Sequence, residues 1–101
     1  MITREQAKRC VGKGWHGLID EFYDKYPEEW VNQVKEKYGR LCLYHNGSDE
    51  STDLELSIRE RSSGMCEQCG ARCTTTVLRG WMWTLCDLHA KEKEDGHKKT
   101  V

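Results

Sequence analysis

The sequence predicts an α+β fold in a single domain spanning 1–101, with a helical part and a short strand over 1–62, then a β-hairpin and a closing helix over 63–101. Three observations predict it. Apolar residues recur at helical spacing between Trp15 and Tyr26, they alternate from Arg40 to Tyr44, and two short blocks flank Arg79-Gly80 between one pair of cysteines and another cysteine followed by a histidine.

Thr3 followed by Gln6 has the form of a capping box, and Gly12 is a natural stop, which gives a short helix over 4–11. Trp15, Leu18, Ile19, Phe22, Tyr23 and Tyr26 form one apolar face, so a second, core-facing helix runs up to Pro27. Pro27 suits the first turn of a third helix, with Glu28 and Glu29 near its positive end and Trp30, Val31, Val34 and Tyr38 as its buried stripe before Gly39. Leu41 and Leu43 then mark a short strand ahead of the turn His45-Asn46-Gly47-Ser48. Thr52 with Glu55 resembles another capping box, and Leu54, Leu56 and Ile58 carry a helix to about Arg61 before Ser62-Ser63-Gly64 breaks it. Thr74–Leu78 and Trp81–Leu85 read as a hairpin, and a charged helix from Asp87 to Glu94 ends at Gly96 with a frayed tail beyond.

Composition narrows the function classes. With 101 residues, 37% apolar and 33% charged, the core is small and favours an added staple. Net charge is -1, spread without a polycationic block, so little phosphate-neutralising affinity for duplex nucleic acid is on offer. The first residues are charged and no run of about eighteen apolar residues occurs, which predicts a soluble protein of the cytoplasm without membrane contact. In that reducing setting six cysteines read as thiols and metal ligands rather than disulfides.

Cys66-Glu67-Gln68-Cys69 delivers two thiolates from one tight turn, and Gly70 suits the positive-φ conformation that closes such a knuckle. Cys86-Asp87-Leu88-His89 places two more ligands on the first turn of a helix. Cys66, Cys69, Cys86 and His89 therefore make a predicted structural Zn2+ site, with Cys73 as an alternative to His89. Four protein ligands leave no position for water or substrate, which argues against catalysis at the metal. The order knuckle, hairpin, helix resembles the treble-clef zinc finger over 65–96.

Trp81 and Trp83 share one face of the hairpin and Met82 the other; core packing is the simpler role, and an exposed indole becomes an anchor for a protein partner. Cys10 and Cys42, isolated in sequence, read as small buried hydrophobes. His16 and His45 lack a nucleophile pattern, and the acidic run from Asp49 to Glu55 reads as a solvated loop and helix start.

Gly14-Trp15, Val34-Lys35-Glu36-Lys37-Tyr38-Gly39, Cys66-Glu67-Gln68-Cys69-Gly70 and Gly80-Trp81 leading into Thr84-Leu85-Cys86-Asp87-Leu88-His89 together resemble a family of small proteins of phages and bacterial mobile regions. The resemblance spans 14–90. It implies a phage-type accessory protein in the cytoplasm of a bacterial or phage-host cell, non-enzymatic, binding and modulating a host protein such as a defence component. A nucleic-acid-binding zinc-finger module is the alternative; it requires Arg61, Arg72, Arg79, Lys91 and Lys93 on one face. A His-Asn-His nuclease, which also uses treble-clef architecture, is disfavoured because residues 70–85 contain no histidine.

Overall fold

The computed structural model describes residues 2–26, 30–46, 49–78 and 80–99, with side chains for all of these but Trp30 and 94–99. Thr3 caps helix α1 (Arg4–Arg9): its hydroxyl accepts from the Gln6 N–H at 3.1 Å, while Gln6 Oε1 accepts from the Thr3 N–H at 2.8 Å. The expected capping box thus satisfies two otherwise orphaned donors. The helix stops short of the expected 4–11, with Cys10 as its C-cap. A 3-10 turn, Lys13–Trp15, leads into α2 (His16–Lys25), which buries Leu18, Ile19, Phe22 and Tyr23 on the expected face. Lys8 and Arg4 reach from α1 to Asp20 at 2.8 and 3.2 Å, and Arg4 also meets Asp24 at 2.7 Å, so polar clasps hold the two helices edge to edge.

The expected third helix is a strand. β1 (Trp30–Lys37) pairs antiparallel with β2 (Arg40–Asn46), so the strand expected at 40–44 finds its partner in residues assigned from sequence to a helix. The register slips between Val31 and Gln33, the signature of a β-bulge. That extra residue puts Val31 and Val34, three apart, on the same buried face, where an unbroken strand would send them to opposite faces. A bulged strand therefore mimics helical spacing. Pro27, Glu28 and Glu29 lie outside the described residues, as do Gly47 and Ser48 of the expected turn; Asn46 belongs to β2.

Helix α3 (Asp49–Ser62) begins before Thr52, so the expected capping box at Thr52 and Glu55 lies inside the helix. Its buried positions are Ser51, Glu55, Ile58 and Ser62, a face of helical period that is mostly polar, while Leu56 is half exposed. Glu55 meets Arg59 at 2.7 Å, and the Leu41 N–H donates to Ser62 Oγ at 2.8 Å, joining the end of α3 to β2. Trp15, Ile19, Phe22, Val31, Leu41, Leu43 and Ile58 lead the apolar core, which lies among α1, α2, β1, β2 and α3.

The second hairpin, β3 (Thr74–Leu78) with β4 (Trp81–Leu85), forms as expected, Arg79 lying outside the described residues. Buried Thr84 donates its hydroxyl to the Gly39 carbonyl and shares a 2.8 Å hydrogen bond with Thr75, so this hairpin docks on the β1–β2 turn. Helix α4 (Asp87–Lys99) runs through Gly96 instead of ending there. An interior glycine costs a helix only about 1 kcal/mol and stops it only when the chain adopts a capping conformation. Among the described residues no helix is long and apolar enough to cross a membrane.

Candidate metal centre

The knuckle is built by backbone. Met65 and Arg72 form an isolated antiparallel bridge, the Cys66 N–H donates to the Ala71 carbonyl at 2.8 Å, and the Gly70 N–H donates to the Cys66 carbonyl at 2.7 Å. Gly70 has φ +80°, the conformation expected for closing the turn without a Cβ penalty. Cys86 precedes α4, and the Ala90 N–H donates to its carbonyl at 2.8 Å, so Cys86 and His89 stand one helical turn apart.

These elements bring Cys66, Cys69, Cys86 and His89 together, with one ligand atom from each lying within 4.8 Å of the others. Cys86 Sγ is 3.1 Å from His89 Nδ1, Cys66 Sγ is 3.5 Å from the same nitrogen, and Cys69 Sγ is 3.9 Å from Cys86 Sγ. Tetrahedral zinc with ordinary bond lengths sets sulfur–sulfur edges of about 3.8 Å and sulfur–nitrogen edges of about 3.6 Å. Donor chemistry and spacing both fit a closed metal site. The Cys69–Cys86 separation is too long for a disulfide, and all six cysteines are free.

Electrostatics sort the thiols. Burial pushes the Cys66 thiol up, but hydrogen bonds from the backbone of Cys86, Gln68 and Cys69 outweigh it and bring the group down to about 6. Backbone donors from the knuckle turn and from Cys86 therefore favour the thiolate a metal requires. Cys73 goes the other way: burial, then the negative charge of Cys66, Cys86 and Cys69, pushes it up to about 11. Cys73 lies outside the four-residue cluster, with His89 in the position the alternative gave it.

A contact that the sequence reading missed anchors this centre to the helical part. The Gly14 N–H donates to the Glu67 carbonyl at 2.9 Å, and the Trp15 indole N–H donates to the Met65 carbonyl at 2.8 Å. A Cβ on Gly14 would collide with the Cys66 carbonyl oxygen and sit 2.6 Å from the Gly70 nitrogen; one on Gly12 would collide with the Glu67 carbonyl. The only sequence signal was the pair of glycines around Lys13, which reads equally well as a helix stop.

The remaining candidates divide. Trp81 is 56% exposed and its indole N–H reaches Glu36 at 3.3 Å, whereas half-buried Trp83 carries Lys93 Nζ 3.7 Å from its ring centre. Core packing therefore fits Trp83 and not Trp81. Cys42 is buried as expected; Cys10 is exposed, its thiol turned back to the Gln6 carbonyl at 3.3 Å, because it caps α1 on the outside. His16 Nε2 lies 3.3 Å from the Val11 carbonyl, and the His45 ring packs 5.2 Å from Phe22. Of the cations the nucleic-acid alternative needs, Arg61 is forked onto Glu21 at 2.9 and 3.0 Å, Lys93 lies on Trp83, and Arg79 is outside the described residues. No family model, curated protein or solved structure matches the chain.

Proposed function

We propose that this protein is a non-enzymatic, zinc-stabilised binding protein of phage type, which binds and modulates a host protein, a defence component being one such target. Cys66, Cys69, Cys86 and His89 would hold a structural Zn2+, and the knuckle, hairpin and helix around it follow the treble-clef order. The convergence of these four ligand atoms within 4.8 Å carries the reading. Such a shell is filled by side chains, which leaves the ion a cross-linking role and no open position for water. Exposed Val77, Trp81 and Met82 on the hairpin favour a protein surface as partner, since aromatic and thioether side chains are enriched at interface centres. The resemblance to phage and mobile-region proteins is what supports a host protein as that partner.

The test combines metal content with capture. Purified protein should carry one zinc per chain, and used as bait it should retain a defined host protein that Trp81→Ala bait does not. Absence of stoichiometric metal from protein prepared without chelators, or equal retention by both baits, would count against the proposal.

A further inference from the structure

We propose that the groove between the β1–β2 turn and the tip of the β3–β4 hairpin receives an acidic segment of polypeptide that carries an apolar side chain among its carboxylates; this rests on the protein-binding reading above. Two adjoining clefts of about 460 Å³ each share Lys37, Tyr38 and Met82. One reaches Lys35, Glu36 and Trp81, the other Arg40, Tyr44 and Arg59.

Tyr38 marks the place. It has φ +54°, a left-handed conformation that bulky side chains rarely adopt, and yet its side chain is 66% exposed. Asparagine or glycine satisfies this turn at lower cost, and so exposed a ring gains little from packing. A strained, exposed aromatic at the meeting point of two clefts is accounted for by what it touches outside the chain.

Charge gives the partner's sign. Lys35, Lys37, Arg40 and Arg59 line the clefts against Glu36, and Glu55 lies buried beneath Arg59, so the groove is net positive on a chain of net charge -1. Two features favour polypeptide over single-stranded nucleic acid. Lys35 Nζ lies 5.4 Å from the Tyr44 ring centre and Lys37 Nζ 5.8 Å from that of Tyr38, so cations already take up ring faces on which bases would stack. Glu36, held by the Gly39 N–H at 3.1 Å and the Trp81 indole at 3.3 Å, puts a carboxylate within the groove. A nucleic acid brings a phosphate at every step past that carboxylate. A peptide can set its acids against the lysines and arginines, and an apolar residue against Trp81 and Met82.

The experiment uses the zinc-loaded full chain and fluorescence anisotropy of labelled probes: a peptide of alternating glutamate and leucine, matched serine–leucine and lysine–leucine peptides, and oligothymidylate of equal length. Preferential binding of the glutamate–leucine peptide, weakened by salt and reduced roughly tenfold or more by combined Lys35→Glu and Arg40→Glu, is the expected result. Tyr38→Asn should lower this affinity while leaving the thermal midpoint unchanged or higher, a combination that a merely structural tyrosine does not give. Equal binding of the glutamate and serine peptides, tighter binding of oligothymidylate, or full affinity in Tyr38→Asn overturns the inference. If a host protein is lost by Trp81→Ala bait but kept by the charge-reversed bait, the protein-binding reading survives and the acidic partner does not.

Discussion

At Gly14 a single hydrogen atom separates a folded contact from a collision. The backbone it faces, the Cys66 carbonyl and the Gly70 amide, belongs to the knuckle and has no rotamer by which to move away. Gly14→Ala is therefore expected to lower unfolding free energy by about 3 kcal/mol, the upper end for overpacked sites, and to weaken metal retention with it. Gly17 is the control: exposed in α2, with open space where a Cβ would go, it should gain up to about 1 kcal/mol as alanine. Urea unfolding of the two variants beside the parent checks both signs. The cysteines allow a second contrast. Cys69→Ser should release metal to a mild chelator at concentrations that leave the parent loaded, whereas Cys73→Ser should retain it, because Cys73 lies outside the cluster and is held as the neutral thiol. Equal metal loss from both variants would return Cys73 to the ligand set.

Elements differ in how openly the sequence announces them. The knuckle and the first turn of α4 were legible because their chemistry is local: two ligands lie within one turn of chain at each site, and no distant residue changes that spacing. The β3–β4 hairpin was legible to the residue for a related reason, two blocks of β-branched and aromatic residues flanking Arg79-Gly80. β1 was misread because its bulge gives Val31 and Val34 the separation of a helical face, and only pairing with β2 reveals the inserted residue. α3 was displaced because its buried face holds Ser51, Glu55 and Ser62, polar residues that give no apolar stripe; Glu55 meets Arg59 one turn on, and Ser62 accepts from Leu41 of β2. The approach of Gly14 to the knuckle leaves no periodic trace at all, since it joins segments some fifty residues apart through bare backbone.

The clasp between α1 and α2 gives a prediction at this scale. Asp20 sits below the usual aspartate value of 3.8, chiefly through its hydrogen bond from Lys8, against a smaller cost of burial and with help from Arg4. A carboxylate depressed in the folded state stabilises it above the ordinary value, and that contribution is lost as pH falls through the depressed one. Amide exchange in α1 is accordingly expected to quicken, relative to α2, below pH 3.8, and Asp20→Asn should show the faster exchange already at neutral pH. The Asp20 and Lys8 side chains both keep some contact with solvent, so salt should shrink the difference.

Over the whole molecule, burial is unevenly shared. The buried apolar cluster lies among the elements from α1 to α3, while beyond Met65 only Cys66, Leu85 and a few polar residues are buried among those described. Metal removal is therefore expected to erase the amide chemical-shift dispersion of the β3–β4 hairpin and the start of α4 while leaving core signals from Ile19, Phe22 and Leu43 in place. A spectrum unchanged after verified removal would deny the ion its structural role.

Because Gly12 and Gly14 meet a knuckle that Thr84, Cys86 and His89 complete, that seam can close on a growing polypeptide only after the start of α4 has left the ribosome. Metal acquisition would then follow synthesis of the second hairpin, and the loop it closes runs from Cys66 to His89. Without an ion at the four ligands, the core from α1 to α3 should still fold while the seam at Gly12 to Gly14 stays undocked and open to proteases, so that supply of the metal would govern how much of the protein survives.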